Sequence, residues 1–306
     1  MAQQVRSLSE DDELIGNQEF KNQPKMFWAY VRTLSQHLGY TVRGKGQIKI
    51  PTLSEMCRGL SELGLDATKL ATDGERPTPL GAELQRYFEY RAGVLNDFVK
   101  SQLMNGTQAL ALYEELRAKC RYACPVPMNK QKGDKAKPAF FTGIINTLIA
   151  DNLRGGECNY SPLELTTITR DGVAVRTLSR RVDGAFPKVV NPVAVWEIKE
   201  YYYTTTFGSR IADGVYETLV DGMELEELRE HEGIDVKHYL MVDAYDTWWM
   251  MGRSYLCRII DMLHMGYVDE VLFGKEVVER VPILVKEWAR LVENKTKSRK
   301  LGEADL

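Results

Sequence analysis

The chain has 306 residues, about twice the length of an average domain, so we expect two domains. Apolar residues make up 44% of the chain and charged residues 27%, a balance that excludes a wholly disordered or fibrous protein. Its 40 basic and 43 acidic residues give a net charge of −3, which taken alone argues against a nucleic-acid partner.

Neither a membrane helix nor a secretory signal is expected. No segment approaches the roughly 20 uninterrupted apolar residues of a membrane span. The start of the chain, MAQQVRSLSEDDEL, is acidic and lacks the apolar run of a signal peptide. The five cysteines are an odd number spread along the chain, which favours a reducing compartment over a disulfide framework. We therefore expect a cytoplasmic protein without a membrane partner.

The first part of the chain reads as mainly helical. Residues 1–25 are polar and acidic and are predicted to form an N-terminal arm. From Met26 onwards, apolar residues recur at spacings of three and four through residue 123, except for a short strand within 43–51. This order of helix, short strand, helix, turn and helix suits a winged-helix DNA-binding domain, and it equally suits a small helical bundle. Residues 26–123 are therefore predicted as a helical domain, with the winged helix as one alternative.

A change of composition follows this helical region. Residues 124–138, CPVPMNKQKGDKAKP, contain three prolines and several lysines but few apolar residues. Such a stretch is typical of an exposed basic linker. It predicts a domain boundary, with a second domain over residues 139–306.

The second domain alternates between helix and strand patterns. Residues 163–186 are predicted as two strands joined at Asp171-Gly172, a strong hairpin signal. The other predicted elements are a helix at 139–153, a strand at 192–203, a helix at 209–231, a strand at 237–245, a helix at 252–266, a strand at 268–274 and a final helix. Strands flanked by helices after an antiparallel hairpin favour an α/β fold with a mixed central sheet.

Three residues of this domain carry the chemical signal. Glu197 and Lys199 are two residues apart on a predicted strand, so their side chains project from the same face. Asp183 lies at the end of the strand that follows the hairpin turn, and two prolines in GAFPKVVNP allow the chain to turn back and place Asp183 beside Glu197. Adjacent carboxylates repel each other, and a hard divalent cation such as Mg²⁺ relieves the repulsion. The plainer alternatives are a surface ion pair between Glu197 and Lys199 and a simple turn at Asp183-Gly184.

The order Val182-Asp183-Gly184 followed by Glu197-Ile198-Lys199 resembles the PD-(D/E)xK nuclease superfamily, with valine in place of the usual proline. The resemblance covers roughly residues 139–245 and implies a restriction-endonuclease-like mixed-sheet core flanked by helices. It further implies that Asp183, Glu197 and the backbone carbonyl of Ile198 hold Mg²⁺, and that Lys199 orients or helps to deprotonate the attacking water. The expected products are a 5′-phosphate and a 3′-hydroxyl.

Further site residues follow from position. The family often has a fourth acid on the helix before the hairpin, and the candidates here are Asp151 and Glu157. The candidates for contacts with the DNA backbone are three arginines of the hairpin region and one at the start of the next helix, namely Arg176, Arg180, Arg181 and Arg210.

The resemblance implies a Mg²⁺-dependent endodeoxyribonuclease acting on double-stranded DNA. A type II restriction endonuclease in phage defence is the leading hypothesis, working as a homodimer with a DNA methyltransferase encoded nearby. The alternatives are a DNA repair or recombination nuclease and a non-catalytic winged-helix DNA-binding regulator.

The charge distribution modifies the first argument against DNA. Residues 213–235 hold nine acids with Arg229 as their only lysine or arginine, and residues 10–13 are all acidic. Basic residues instead concentrate at 117–137 and 170–181, on both sides of the candidate site in sequence. The overall balance therefore conceals a predicted basic surface.

Overall fold

The computed structural model describes residues 17–42, 44–73, 75–129, 136–205 and 207–304, which form two compact units. The N-terminal unit extends to Ser101 and also contains Trp248–Gly266, whereas the C-terminal unit contains Gln102–Thr247 and the chain from Tyr267 onwards. Most of the predicted N-terminal arm, with its acidic cluster at 10–13, lies outside the described residues, as do Lys130, Lys132 and Lys135 of the predicted linker.

The secondary structure is mixed, with 54% helix and 16% strand, which confirms the predicted α/β class at that level. The helices are α1 (Gln18–Lys21), α2 (Lys25–Leu38), α3 (Leu53–Glu62), α4 (Pro79–Gly93), α5 (Lys100–Gln102), α6 (Gly106–Lys119), α7 (Phe140–Asn152), α8 (Ser209–Glu232), α9 (Arg253–His264) and α10 (Val277–Ala304). Shorter 3-10 turns occupy Ala67–Lys69 and Gly274–Glu276, and π-helical turns occupy Val94–Val99 and Asp246–Met251. Within the described ranges, every helix falls short of the length and apolarity needed to cross a bilayer.

The strands are β1 (Thr41–Val42), β2 (Gln47–Ile48), β3 (Ala71–Thr72), β4 (Arg76–Pro77), β5 (Thr167–Arg170), β6 (Val173–Thr177), β7 (Gly184–Phe186), β8 (Ala194–Glu200), β9 (Lys237–Asp243) and β10 (Glu270–Phe273). In the N-terminal unit, β1 pairs with β2 and β3 with β4, each as an antiparallel hairpin. A hairpin of β1 and β2 thus lies between α2 and α3. The sequence indicated only a single short strand at this place.

Local signals explain where the N-terminal helices begin. Thr52 accepts a hydrogen bond from the Glu55 N–H, and Glu55 accepts one from the Thr52 N–H, which forms a capping box at the start of α3. Thr78 caps α4, whose first residue is Pro79. The apolar faces of these helices form a core with α2 that includes Phe27, Leu34, Leu60, Leu84 and Phe88.

The central sheet of the C-terminal unit has the order β10-β9-β8-β7. Strands β8, β9 and β10 are parallel, and β7 runs antiparallel to β8 with Gly184 opposite Trp196. On one face, Trp196 stacks on Trp288 of α10 at 5.3 Å between ring centres. On the other face, Val195 packs among apolar residues of α8. Burial on both faces explains why β8 reads as a nearly continuous apolar run before its charged end.

The hairpin differs from its prediction. Strands β5 and β6 form a separate two-stranded sheet joined at Asp171-Gly172, and β6 ends at Thr177 instead of continuing to residue 186. The chain leaves the hairpin because Leu178 and Val182 are buried in the apolar cluster that contains Val195. Asp183 therefore lies immediately before β7 of the central sheet.

The division into units also differs from the predicted boundary at 124–138. Helix α6 belongs to the C-terminal unit, because Tyr113 and Leu116 pack with Ile144 and Leu148 of α7. The Tyr113 hydroxyl donates a hydrogen bond to the Cys124 carbonyl at 2.9 Å, and Ala139 N–H donates to the Pro127 carbonyl at 2.8 Å. The described part of the predicted linker is thus packed within the C-terminal unit.

Gly222 tests how closely α8 packs against the backbone of Tyr267, shortly before β10. A Cβ atom at this position would lie 2.3 Å from the Tyr267 carbonyl oxygen. We expect Gly222→Ala to reduce the free energy of unfolding by about 1–3 kcal/mol, because the backbone of Tyr267 must move. The helical Gly93 has no heavy atom closer than 3.9 Å to an added Cβ, so Gly93→Ala should raise stability by up to about 1 kcal/mol. Urea unfolding followed by circular dichroism measures both, and a stabilising Gly222→Ala would contradict the packing described.

Candidate active site

The structure brings Asp183, Glu197 and Lys199 together where β7 and β8 meet. The Asp183 N–H donates to Glu197 Oε1 at 3.2 Å, and Asp183 Oδ2 accepts the Ile198 N–H at 2.9 Å. Lys199 Nζ donates to Glu197 Oε2 at 2.7 Å. Glu197 is fully buried and Lys199 is 6% exposed. The surface ion pair that was the plainer alternative is therefore excluded by burial.

Lys199 is held as an ammonium ion. Burial works against its charge, but the negative charges of Glu197 and Asp183 outweigh burial and raise the pKa of Lys199 above its ordinary value. Lys199 Nζ also lies 3.4 Å from Glu217 Oε2. In this arrangement Lys199 is a donor of hydrogen bonds and a fixed positive charge.

Arg180 is the second cation of the cluster. Its guanidinium contacts Glu197 Oε1 at 3.0 Å, Asp221 Oδ2 at 2.5 Å and Glu217 Oε2 at 3.2 Å. The sequence predicted Arg180 as a contact to the DNA backbone, but the structure directs its side chain at protein carboxylates. The physical reason is that the fully buried carboxylate of Glu197 requires a compensating positive charge, and that Asp221 is buried beside the same guanidinium.

Glu217 and Asp221 of α8 are site residues that the sequence reasoning missed. They are four residues apart and so project from one face of the helix. Burial, together with the charge of Glu197, raises the pKa of Asp221 to about 7 despite the opposing charge of Arg180. Asp221 Oδ1 is buried without a hydrogen-bond partner in the structure. The acid-rich stretch at 213–235 was interpreted only as negative charge, although the spacing of these two acids was a usable signal.

Glu200 is a further acid at this end of β8. It accepts hydrogen bonds from the Phe141 N–H at 2.9 Å, the Thr142 N–H at 3.3 Å and the Thr142 hydroxyl at 2.6 Å, at the N-terminus of α7. Burial raises the pKa of Glu200 to about 7 although these hydrogen bonds oppose the shift. Glu200 thereby fixes the start of α7 against the strand that carries Glu197 and Lys199.

A cleft of about 640 Å³ opens beside this cluster. Asp183, Lys199, Glu200 and Glu217 line it together with Arg180. The rest of the lining includes the segment 124–129, residues 160–162, and Thr142 and Asn146 of α7. A ligand in this cleft thus reaches Asp183, Lys199 and Glu217, whereas Glu197 and Asp221 are fully buried and absent from the lining.

The other predicted residues lie elsewhere. Arg176 forms an ion pair with Glu227 at 3.0 Å, and Arg181 is exposed. Asp151 accepts a hydrogen bond from the Tyr122 N–H, and Glu157 is exposed. Asp151 and Glu157 are both absent from the cleft lining, so neither supplies a fourth acid there. The backbone of Arg210 lies in α8, but its side chain lies outside the described part of the structure.

Mg²⁺ is held by hard oxygen donors, chiefly carboxylates. Among the described residues, no group of three or more His, Cys, Asp and Glu side chains is arranged as a metal site. Four carboxylates, of Asp183, Glu197, Glu217 and Asp221, nevertheless surround two cations, so the ionised cluster carries an excess charge of −2. Hard oxygen donors and this excess charge, with the unpartnered Asp221 Oδ1, fit a divalent cation. Such a cation would share Glu197 with Lys199 and Arg180.

Fold and site together define a mixed α/β protein with a buried acid–lysine cluster beside a cleft. Residues 104–288 match the model of the family described as Domain of unknown function (DUF7687), which spans more than half of the chain, so the protein belongs to this family. Residues 15–98 match a second model, Domain of unknown function (DUF7690). The gap between the two matches coincides with the division between the units near Ser101. No curated protein and no solved structure matches the chain.

The raised pKa of Asp221 makes stability depend on pH. The folded protein holds a proton on Asp221 up to about pH 7, whereas an unfolded aspartate loses it near 3.8. The folded state therefore binds more protons between these values, and this contribution to stability is lost as the pH rises from about 4 to 7. Asp221→Asn should remove up to about 4 kcal/mol of that decline.

Urea unfolding at pH 5 and at pH 7.5 measures the effect. Asp213→Asn, which changes an exposed aspartate of the same helix, is the matched control and should retain the wild-type pH dependence. An Asp221→Asn variant whose stability declines with pH as steeply as the wild type would show that Asp221 is ionised throughout.

Proposed function

We propose that this protein is a Mg²⁺-dependent endodeoxyribonuclease that hydrolyses phosphodiester bonds of double-stranded DNA at the Asp183–Glu197–Lys199 cluster. The observation that carries the proposal is the set of hydrogen bonds that joins these residues at a strand end beside a cleft. The Asp183 N–H and Lys199 Nζ both donate to the Glu197 carboxylate, and the Asp183 carboxylate accepts from the Ile198 N–H. This is the set of groups that the PD-(D/E)xK resemblance requires. Burying a lysine together with two or more acids is costly, and such groups beside a cleft are typical of functional sites.

Each residue has a proposed role. Asp183, Glu197 and the carbonyl of Ile198 would hold the cation. When bound, Mg²⁺ would polarise the scissile phosphate and lower the pKa of a coordinated water. Lys199, positively charged and fixed by Glu197, would orient the water and stabilise the charge that develops on the phosphate. The raised pKa of Lys199 favours these roles over proton abstraction.

Arg180 receives a different role from the one the sequence indicated. Its contacts with Glu197, Glu217 and Asp221 make it a counter-ion of the acid cluster. Arg181, which is exposed on the adjoining loop, remains a candidate for contact with the DNA backbone.

The biological setting is part of the proposal. A type II restriction endonuclease in the cytoplasm is the first choice, acting as a homodimer with a cognate DNA methyltransferase and with the N-terminal unit assisting DNA binding. A repair or recombination nuclease would use the same cluster but would read DNA structure, and a winged-helix regulator would bind DNA without cutting it. Discrete fragments from phage DNA support restriction, and structure-selective nicking supports repair.

Removing the Lys199 ammonium tests the catalytic proposal. Lys199→Ala should reduce cleavage of supercoiled plasmid in Mg²⁺ by at least about a hundredfold, because the variant has no ammonium donor for the reacting phosphate. Binding of the same DNA in EDTA, followed by gel shift, should be largely retained. Lys188→Ala, which removes an exposed lysine between β7 and β8, is the control and should cut as the wild type does.

Two results would contradict the proposal. Plasmid that stays intact with wild-type protein and Mg²⁺, while still shifting in the gel, would favour the DNA-binding regulator. Cleavage that survives Lys199→Ala at the wild-type rate would place the active site elsewhere.

Metal binding has a readout that is independent of cleavage. Saturating Mg²⁺ should raise the midpoint of thermal unfolding, because a ligand that binds only the folded state stabilises it. Asp183→Asn should abolish most of this rise, since the substitution removes one anionic ligand. Asp171→Asn, at the turn between β5 and β6, should keep the full rise. An equal Mg²⁺ effect in Asp183→Asn and wild type would exclude Asp183 as a ligand.

A further inference from the structure

A second group of charges, in the N-terminal unit, has a different character from the acid cluster. Helix α9 carries Arg253 and Arg258, and the β1–β2 hairpin lies against it with Lys45 at its tip. We name Tyr40, Lys45, Arg253, Tyr255 and Arg258 the stacked-arginine surface; the ring of the buried Trp249 lies against Arg253.

Arg258 is held between two aromatic rings. The carbon at the centre of its guanidinium lies 4.3 Å from the ring centre of Tyr40 and 4.6 Å from that of Tyr255. Its Nη1 donates to the Ser254 carbonyl at 3.2 Å, and its Nη2 approaches Gln36 Oε1 at 3.5 Å. Stacking of this kind orients the planar guanidinium and leaves part of its edge for an anionic group.

Arg253 occupies the other end of the same surface. Its guanidinium lies 5.6 Å from the Trp249 ring centre, and Lys100 Nζ lies 5.7 Å from that ring. Gly46 of the hairpin lies directly against Arg253, because a Cβ at Gly46 would be 3.2 Å from Nη2. Lys45 is the chain neighbour of Gly46, so the hairpin places it close to Arg253. Three positive charges, of Lys45, Arg253 and Arg258, therefore lie where the hairpin region meets α9.

These charges lack acidic partners in the described part of the unit. Three other arginines of the unit are paired, Arg58 with Glu62, Arg86 with Glu83 and Arg91 with Asp261. Among the described residues, no carboxylate lies within 4.0 Å of the charged nitrogens of Lys45, Arg253 or Arg258. The hairpin sequence TVRGKGQIKI at 41–50 also contains no acid. A face of oriented, unneutralised cations is complementary to a polyanion.

We propose that the stacked-arginine surface binds the phosphodiester backbone of duplex DNA, with Lys45, Arg253 and Arg258 each contacting a phosphate. The proposal rests on the proposed function, because it identifies where the N-terminal unit holds the substrate. Guanidinium groups fixed by aromatic rings suit phosphates by geometry as well as charge. Such contacts position a protein on DNA without reading its sequence.

Binding of a fluorescent DNA duplex, measured by anisotropy in EDTA over a range of salt concentrations, tests this assignment. The Lys45→Gln/Arg253→Gln double variant should bind about tenfold or more weakly, and the slope of log affinity against log salt should decrease by about 0.9 for each phosphate that is no longer neutralised. Arg258→Gln should act in the same direction, with circular dichroism verifying its fold. Arg58→Gln, which removes an exposed but paired arginine of the same unit, is the matched control and should bind as the wild type does.

The outcomes separate this proposal from the nuclease proposal. If the double variant binds DNA with the affinity and salt slope of the wild type, the assigned surface is wrong. The nuclease proposal would still stand in that case. An equal reduction in Arg58→Gln would show that any surface charge of the unit acts alike, which also overturns the assignment. Tighter binding of an RNA duplex of the same sequence would overturn DNA as the ligand, and an absence of wild-type binding to DNA would overturn both proposals.

Discussion

The buried carboxylate of Glu197 is the interaction on which the rest of the site depends. A fully buried carboxylate is strongly unfavourable unless cations and hydrogen-bond donors surround it. Lys199, Arg180 and the Asp183 N–H supply these partners. They come from β8 itself and from the connection between β6 and β7, so folding must bring these two segments to one point. The satisfied charge therefore fixes the position of the chain around the end of β8.

This requirement extends to α8 and leaves the cluster unbalanced. Arg180 attracts Asp221 and Glu217, and the second of these also approaches Lys199. Each added acid lowers the cost of burying a cation but increases the total negative charge. Burial and the negative charge of Glu197 accordingly raise the pKa of Asp221 to about 7. A site arranged in this way has affinity for additional positive charge, which is the physical basis for proposing a divalent cation rather than a purely structural ion-pair network.

The sequence predicted the local features of this region better than its tertiary features. The period of two along β8 correctly placed Glu197 and Lys199 on one face, and the prolines between the strands correctly indicated that Asp183 returns to Glu197. The end of β6 was predicted wrongly, because burial of the intervening apolar residues draws the chain away from the hairpin. Asp221 was missed because its meeting with Arg180 depends on how α8 packs on the sheet. The sequence also did not predict that α6 belongs to the C-terminal unit. Its periodicity indicates a helix but does not indicate which element the helix packs against.

Localisation of a bound cation in a crystal is the most direct test of a metal site at the end of β8. Mn²⁺ prefers the same hard oxygen ligands as Mg²⁺ and scatters anomalously, so crystals grown with Mn²⁺ would locate the site. We expect an anomalous peak within about 2.5 Å of carboxylate oxygens of both Asp183 and Glu197, and no such peak in Asp183→Asn. Crystals with Mn²⁺ bound elsewhere, and none between these two carboxylates, would contradict a metal-dependent active site at the end of β8.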